Sequence, residues 1–383
     1  MKNWEVEYLD DVCELITCGV AARPNYVDEG VPFLSAKNVK DGQIIWSGYN
    51  CISEETHKEL TKNSKPLKGD LLYTRVGSYG EAAVIEDDYE FSVFVSLTLI
   101  KVDKSKLNNY YLKHYLNSEA VKNLAKASIS GSGVGNLNVG TVRKFKIPLP
   151  PLPEQQRIVS ILDEAFEVIE RSRNAAIKNL KNAKELFESY LQGVFEKKGD
   201  GWEEQLLEDC FKMKSGDNLT AKNMTEGEYP VFGGNGIAGY HNEYNLSGSN
   251  VIIGRVGALC GNVRHIKENI WLTDNAFKLV DFKFDFDHSF LTYLLNYKDL
   301  RSYARQAAQP VISNSSLKDV VLSFPKSKEA QQTIVRKLDA LRAETQKLEA
   351  VYQKKIDDLE ELKKSILQKA FAGELKTEKA LAL

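Results

Sequence analysis

The chain has 383 residues, 43% apolar and 27% charged, with a formal net charge of −2. That length and composition exclude an intrinsically disordered chain and leave room for two or more cored domains, while the near-neutral charge excludes a binder of nucleic acid that is basic over its whole surface. Its five cysteines, Cys13, Cys18, Cys51, Cys210 and Cys260, are odd in number and show no Cys-x-x-Cys spacing, which argues against a disulfide framework and a thiolate zinc site.

In chain order, residues 1–147 mix short β-type runs with Gly, Asn and Ser turns. Residues 43–46, 71–74 and 91–102 read as strands and 110–126 as helix. Pro148, Pro150, Pro151 and Pro153 then precede a helical pattern from Glu154 to about Glu196. Prolines break a helix interior but are tolerated just before its first turn, and Gly199 and Gly201 stop the pattern at its far end. Along it, Ile158, Leu162, Ala165, Ile169, Ser172, Ala176, Leu180, Ala183, Phe187, Leu191 and Val194 recur at alternating spacings of three and four, the seam of a coiled coil. Residues 200–324 return to strands and turns, with 251–253, 270–272 and 277–280 extended and 288–305 helical. A second seam follows from residue 325: Ile334, Leu338, Leu341, Thr345, Leu348, Tyr352, Ile356, Leu359, Leu362 and Ile366. The domain boundaries expected are therefore 1–147, 148–199, 200–324 and 325–383. No apolar run reaches the roughly 18 residues of a membrane span, and Met1–Glu7 has no signal-peptide core, so a cytoplasmic protein is expected.

The chain repeats itself. Gln155-Gln156 matches Gln331-Gln332, Leu162-Asp163 matches Leu338-Asp339, Leu191-Gln192 matches Leu367-Gln368 and Phe195 matches Phe371, all at an offset of 176. Outside the helices the offset slides, from 198 between Trp4 and Trp202 to 180 between Arg75 and Arg255, so the globular halves differ by insertions. The fold expected is α+β: two globular domains alternating with two long helices that pair as an antiparallel coiled coil, with pseudo-two-fold symmetry. A parallel homodimerisation stalk is the alternative use of such seams. Just as Trp202 follows the first helix, Trp4, after Asn3, is expected to be placed by the end of the second, near 371–375.

Catalytic motifs are absent. Gly234-Asn-Gly-Ile-Ala-Gly239 has the letters of a dinucleotide fingerprint, but Tyr240-His-Asn-Glu-Tyr follows in place of a helix, and the segment reads as a turn. No phosphate loop is present, the five histidines have no ligand spacing, and neither an Asn/Asp-Pro-Pro-Tyr/Phe methyltransferase segment nor a Pro-Asp opening of a nuclease carboxylate cluster occurs. What remains is contact chemistry. Arg75-Val-Gly-Ser78-Tyr79-Gly80 and Arg255-Val-Gly each place an arginine at a strand end, either to fork onto guanine or grip phosphate, or to pair with a carboxylate beside a hairpin turn. Lys37, Asn38 and Lys40, with Asn235 and the Asn-rich turns at 136–138 and 314–316, add side chains able to reach base edges. Lys plus Arg number 18 against 19 Asp plus Glu in residues 1–147, and 13 against 16 in 200–327, so any DNA face must be local.

These residues together, above all Pro148-Leu-Pro-Pro-Leu-Pro-Glu-Gln-Gln-Arg-Ile-Val159, its echo at 329–335, the helix exit Ala370-Phe-Ala-Gly-Glu-Leu375 and the 70–80 segment, make the chain resemble the specificity subunit of type I DNA restriction-modification systems over its whole length. The resemblance implies a non-catalytic reader of double-stranded DNA. Each globular domain would read half of a split, asymmetric site, and the seam residues Ile158, Leu162, Ile169, Leu180, Leu191, Ile334, Leu338, Leu341, Leu348, Ile356 and Leu359 would build the spacer and docking helices. It also implies partners: two modification subunits that bind S-adenosylmethionine, and restriction subunits that use ATP with magnesium, with no cofactor or metal held by this chain. A recognition subunit of another multisubunit restriction system would share most of this mechanism. A coiled-coil adaptor would need only the helices, and a self-sufficient enzyme would need a cofactor or metal motif that is missing.

Overall fold

The computed structural model describes residues 4–129, 135–305 and 309–375, and of Ser78 the backbone only. Asn3 and the expected tail past Leu375 lie outside the described residues. The chain divides into two compact units, Met1–Ala176 with Lys354–Leu383, and Ile177–Gln353, so each unit takes part of both long helices along with its globular part.

The first unit begins with β1 (Glu5–Tyr8), β2 (Cys13–Cys18), β3 (Val31–Leu34), β4 (Val39–Lys40), β5 (Gln43–Ile44) and β6 (Asn50–Ile52). Helix α1 (Glu54–Leu60) leads to β7 (Leu71–Val76), β8 (Ser78–Val84), β9 (Ser92–Val93) and β10 (Leu97–Val102). Then come α2 (Asn109–Leu116), α3 (Glu119–Ala127), α4 (Val139–Arg143), β11 (Lys146–Leu149) and the long α5 (Leu152–Glu196). The second unit's globular part runs β12 (Trp202–Leu206), α6 (Leu207–Cys210), β13 (Lys212–Ser215), β14 (Tyr229–Gly233), β15 (Gly236–His241) and β16 (Asn250–Gly254). It continues with β17 (Val263–Ile266), β18 (Trp271–Leu272), β19 (Ala276–Val280), α7 (His288–Tyr297), α8 (Asn314–Leu317) and β20 (Val321–Pro325), then the long α9 (Lys328–Phe371).

The two units are built alike, strand for strand except for the β4–β5 hairpin of the first. An antiparallel four-stranded sheet has the order β2-β10-β7-β8 in the first and β13-β19-β16-β17 in the second. A three-stranded sheet, β6-β3-β9 or β15-β14-β18, has its last pair parallel in both. The β1-β11 and β12-β20 ribbons tie the start of each globular part to the strand just before a long helix. The structure also locates the sliding offset. Val31 and Tyr229, which open β3 and β14, stand 198 apart; Ile52 and His241, their strand partners, stand 189 apart; Arg75 and Arg255 stand 180 apart. The first step is the segment between β3 and β6, which holds a 3-10 turn and the β4–β5 hairpin where the second unit has only Gly234–Asn235; the second step falls between β6 and β7, which holds α1.

The helix starts differ in sequence but not in function. Pro151 and Pro153 flank the first residue of α5, where a missing N–H is harmless. At α9 the Ser327 hydroxyl instead accepts from the Ala330 N–H at 3.4 Å, a side-chain N-cap. In the first unit Ile158 and Leu162 share a core with Leu367 and Ala370, and Arg173 lies 3.5 Å from Glu360 farther along, so the helical segments run antiparallel. In the second unit Phe187 and Leu191 pack with Leu338, and the Arg342 guanidinium sits 4.8 Å over the Phe187 ring. The seams are thus satisfied within the chain, as the antiparallel reading expects. Trp202 meets Phe195 edge-on at 6.3 Å, and Trp4 packs on the core that Phe371 also joins, as the repeat implied.

The second seam needs one correction. Leu348 and Leu362 are 39% and 47% exposed, whereas Thr345 and Ile356 are buried and Glu349 is half-buried between them. Thr345 and Tyr352 are seven residues apart, and a spacing of three-then-four or four-then-three connects them equally well. Apolarity selects Leu348; packing turns the Glu349 side inward and leaves Leu348 outside. Leu180, Ile334, Leu341 and Leu359 are half-buried, and Ile158, Leu162, Ile169, Leu191, Leu338 and Ile356 are buried.

The repeated Gln-Gln is explained by its first member. Gln155, fully buried, accepts from the Asn108 N–H at 2.8 Å and donates to the Lys106 and Pro150 carbonyls. Gln331, 1% exposed, accepts from the Asp287 N–H at 2.8 Å and donates to the Pro325 carbonyl at 2.9 Å. Asn108 and Asp287 are the N-caps of α2 and α7, so each glutamine locks the first turn of a long helix to the start of the helix that packs on it. Two turns on, the Asp163 carboxylate meets His114 Nε2 at 2.8 Å, and the Asp339 carboxylate accepts from the Tyr293 hydroxyl at 2.6 Å. At the other end of α2 and α7, Asn117 and Asn296 each clamp one residue of the edge strand through both its N–H and its C=O, Ala82 in β8 and Val263 in β17.

Gln155→Ala leaves one N–H and two carbonyls without partners in a buried site, and about 2–4 kcal/mol of stability should be lost in chemical denaturation, against under about 0.5 kcal/mol for the exposed neighbour in Gln156→Ala. The His114–Asp163 pair adds a pH response. Burial holds His114 below its ordinary value despite the carboxylate beside it, so the unfolded chain binds this proton more readily than the folded one. The contribution is fully present above the ordinary value of 6.5 and is lost as pH falls below it. The opening free energy of β10 amides, from hydrogen exchange with the intrinsic pH-dependent rate divided out, should therefore fall on acidification from about pH 7 to 5, and His114→Tyr, which copies the Tyr293–Asp339 pair, should remove that part of the slope.

Candidate functional site

Three of the candidate contact residues of the first unit, Lys37, Asn38 and Lys40, lie on the segment between β3 and β6. Asn38, 1% exposed, accepts from the Ser35 N–H at 3.1 Å, closing a capping box, and donates to the Ile45 and Ser47 carbonyls. Its amide is spent on folding the segment, so it is an organiser of the loop and not a free base-edge contact, a correction to the expectation. Asp41 and Gly42 turn the β4–β5 hairpin with φ of 53° and 75°, the left-handed pair that a tight two-residue hairpin requires. Trp46 anchors the hairpin, its Nε1 donating to Asp87 at 2.7 Å and its ring meeting Tyr89 and Phe91 edge-on. Lys37 and Lys40 emerge exposed from this braced segment, with Tyr89, 61% exposed, on the same aromatic cluster. Sequence reasoning missed Tyr89, since nothing local marks it.

Arg75 does something neither sequence reading anticipated. It is 6% exposed, and its guanidinium donates to the Leu137 and Val95 carbonyls and the Asn136 side chain at 2.8–3.0 Å. Among the described residues it pairs with no carboxylate; it stitches the end of β7 to two loops. Tyr79 is half-buried, and the Ser78 side chain lies outside the described residues. Arg255, at the same place in the second unit, is less committed. It is half-buried, donates to the Ser215 hydroxyl and the Asp274 carbonyl at 3.1 and 3.3 Å, lies 5.1 Å over the Phe277 ring, and has a buried Nε without a partner.

Of the dinucleotide letters only Gly234–Asn235 form the turn between β14 and β15, and Gly236–Gly239 belong to β15, so the expected turn is confined to the first two residues; no helix follows. A Cβ on Gly234 would stand 1.9 Å from the Val256 carbonyl oxygen, so that glycine serves a close backbone approach. Asn235 is exposed and its side chain accepts from the Leu259 N–H at 2.9 Å, joining the turn to the 255–261 loop. Beyond it Ile237 and Tyr240 are 54% and 56% exposed, apolar contact area that sequence reasoning missed, since residues three apart fit no alternation and the register shifts between them.

Among the described residues no three His, Cys, Asp or Glu side chains gather to hold a metal, and no helix is long and apolar enough to cross a membrane. His57 bonds the Ser92 hydroxyl and His114 the Asp163 carboxylate; His265 and His288 share the Ser249 hydroxyl. Burial pushes the Cys13 and Cys210 thiols up to about 12, so neither is a nucleophile near neutrality.

Comparison with known proteins fits this architecture. The family described as the type I restriction modification DNA specificity domain matches residues 1–179 and again 199–360. The chain is 25% identical to a putative type I restriction enzyme MjaX specificity subunit of Methanocaldococcus jannaschii, over 98% of this chain and 94% of that protein. It is 30% identical to the type I restriction enzyme EcoprrI specificity subunit of Escherichia coli, over 77% and 76%. Among solved structures, a chain from work on complex assembly and conformational transition of the type I R-M system superposes with a TM-score of 0.79 at 20% identity, over 98% of this chain and 99% of that one. The HsdS subunit from Thermoanaerobacter tengcongensis gives 0.62, also at 20% identity and covering 98% of each. At that identity the two structures speak for the fold.

The geometry separates two kinds of basic residue. Arg75→Ala should lower stability by about 2–4 kcal/mol, because three oxygens lose their donor. Lys37→Gln with Lys40→Gln should move it by under about 0.5 kcal/mol, as usual for exposed substitutions; thermal melting of the two variants decides.

Proposed function

Because the chain belongs to the family of the type I restriction modification DNA specificity domain, we propose that it is the sequence-reading subunit of such a complex, each unit recognising one half of a split, asymmetric DNA site. The observation that carries this reading is one scaffold built twice with different contact surfaces on it: the braced Lys37–Lys40 hairpin in the first unit, the short Asn235 turn with exposed Ile237 and Tyr240 in the second. Two readers of one bipartite sequence need the same frame and different contacts, since phosphate contacts position a protein and base-edge contacts specify.

The chain contributes recognition and no chemistry in this proposal. Two modification subunits, with S-adenosylmethionine, methylate the DNA, and restriction subunits, with ATP and magnesium, cleave it, all in the cytoplasm. The long helices act as spacer and as docking surface. Helix α5 has 45 residues, about 67 Å at about 1.5 Å per residue, and a stiff linker of fixed length sets which spacing of half-sites can be bound together. Apolar side chains stand in solvent on both helices, Val168, Leu186 and Tyr190 on α5 and Leu348, Val351 and Leu362 on α9, where apolar exposure fits a protein partner.

Mapping of methylated adenines in the source cell, with this gene intact and deleted, tests the reading. A split motif should lose methylation on deletion; if no motif changes, the reading falls. Four residues added to both helices, about 6 Å of rise, should lengthen the unread gap by about two base pairs while both half-sites stay the same. A changed half-site with an unchanged gap refutes the division of labour.

A further inference from the structure

The four-stranded sheets of the two units differ on one face, the face that carries the three-stranded sheet. In the first unit a row of directly paired residues crosses it: Thr17 opposite Leu99, Leu99 opposite Leu72, Leu72 opposite Ala83. Leu72, Ala83 and Leu99 are fully buried, in a cluster that Val39, Ile44 and Trp46 of the β3–β6 segment complete. The same row in the second unit reads Lys214 opposite Lys278, Lys278 opposite Ile252, Ile252 opposite Arg264. That unit has only a two-residue turn where the covering segment would be, and its smaller cluster reaches Ile252 and Ala276 and goes no farther. Lys214 is exposed, and Lys278 and Arg264 are half-buried.

Three features show that this basic row is arranged for an anion from outside. Like charges directly opposite on adjacent strands repel, yet Lys214 faces Lys278, and among the described residues neither has an ion-pair or hydrogen-bond partner. No residue of the four strands is acidic, while the neighbouring Lys212 does find a carboxylate, Asp281 at 3.2 Å. The Arg264 guanidinium is held in place: its Nε donates to Asn262 at 3.0 Å, its plane lies 5.8 Å over the Phe232 ring, and Gly236 makes room for its Nη atoms, which a Cβ there would approach to 2.7 Å. At strand spacings of roughly 4.8 Å the row extends about 14 Å, some four base-pair steps.

We propose that Lys214, Lys278 and Arg264 form a phosphate-gripping surface of the second unit, on a sheet face that the first unit has covered with its hairpin. The proposal rests on the DNA-reading function above and adds to it that the two units hold the duplex by different parts of the shared scaffold. The first presents Lys37 and Lys40 from the segment that covers the face, the second the face itself.

The test uses the full chain assembled with its modification subunits and a duplex carrying the methylated split sequence. Binding is measured against salt for the unsubstituted complex, for Lys214→Gln with Lys278→Gln, and for Lys337→Gln on α9. The double variant should flatten the slope of log K against log salt by about 1.8, at about 0.9 per phosphate contact, and should weaken binding to specific and unrelated duplexes alike. Its melting temperature should be unchanged or higher, because a repelling pair is gone, and Lys337→Gln should leave the slope alone. An unchanged slope in a complex that still prefers its split sequence overturns the proposal and leaves the DNA-reading function standing. Weakening confined to one sequence overturns it too, since the lysines would then touch bases, as does loss of subunit assembly at an unchanged slope, which makes the face a protein contact. If the unsubstituted complex shows no preference for the split sequence, the DNA-reading function itself falls.

Discussion

A buried glutamine at the start of each long helix is the contact around which each unit is organised. A side-chain amide with one acceptor and two donors can bridge main-chain groups that no regular element pairs, and an unpaired group in such a place is expensive. Gln155 and Gln331 do this at the junction where a strand ends, a long helix begins and the capped end of a second helix arrives. With the junction fixed, the aspartate eight residues on meets α2 or α7, and the asparagine at the far end of α2 or α7 clamps the edge of the four-stranded sheet. The chain from helix to sheet edge is therefore continuous in both units. In the proposed function, the same linkage ties the contact surface to the helix that would set the spacing.

Duplication kept that frame and released the rest. The glutamine, the clamp and the strand order are the same twice, while His114 stands where Tyr293 does, and a hairpin covers a sheet face in one unit that is basic and only partly covered in the other. The covered face lies on the side of the sheet away from the long helices. A residue there can change its chemistry without disturbing the packing of α5 and α9, because the core that includes Leu162 or Leu338 lies on the opposite face.

The near-neutral composition fits the same arrangement. A face such as the one bearing Lys214, Lys278 and Arg264 is local, and the acidic residues that balance it lie elsewhere in the chain. Total charge therefore says little about whether a phosphate surface exists.

By itself the sequence determined the duplication, the α+β class, both long helices and nearly all of their seams, because helical periodicity and proline chemistry act over a few residues and leave their mark in the letters. It also showed that the glycine-rich 234–239 segment opens no helix, since no helix-forming run follows, though all but its first two residues are strand. The tertiary structure alone decided which polar residues are spent inside. Arg75 and Asn38 look like contact residues in isolation, and their hydrogen-bond partners lie in segments that no local pattern connects to them, Leu137 and Val95 for one, Ile45 and Ser47 for the other. Leu348 lost its seam position to Glu349 because two spacings fit equally and only packing separates them. The row from Lys214 to Arg264 was invisible for the same reason: strands far apart in sequence become neighbours through pairing register, a long-range property that is set when the sheet closes.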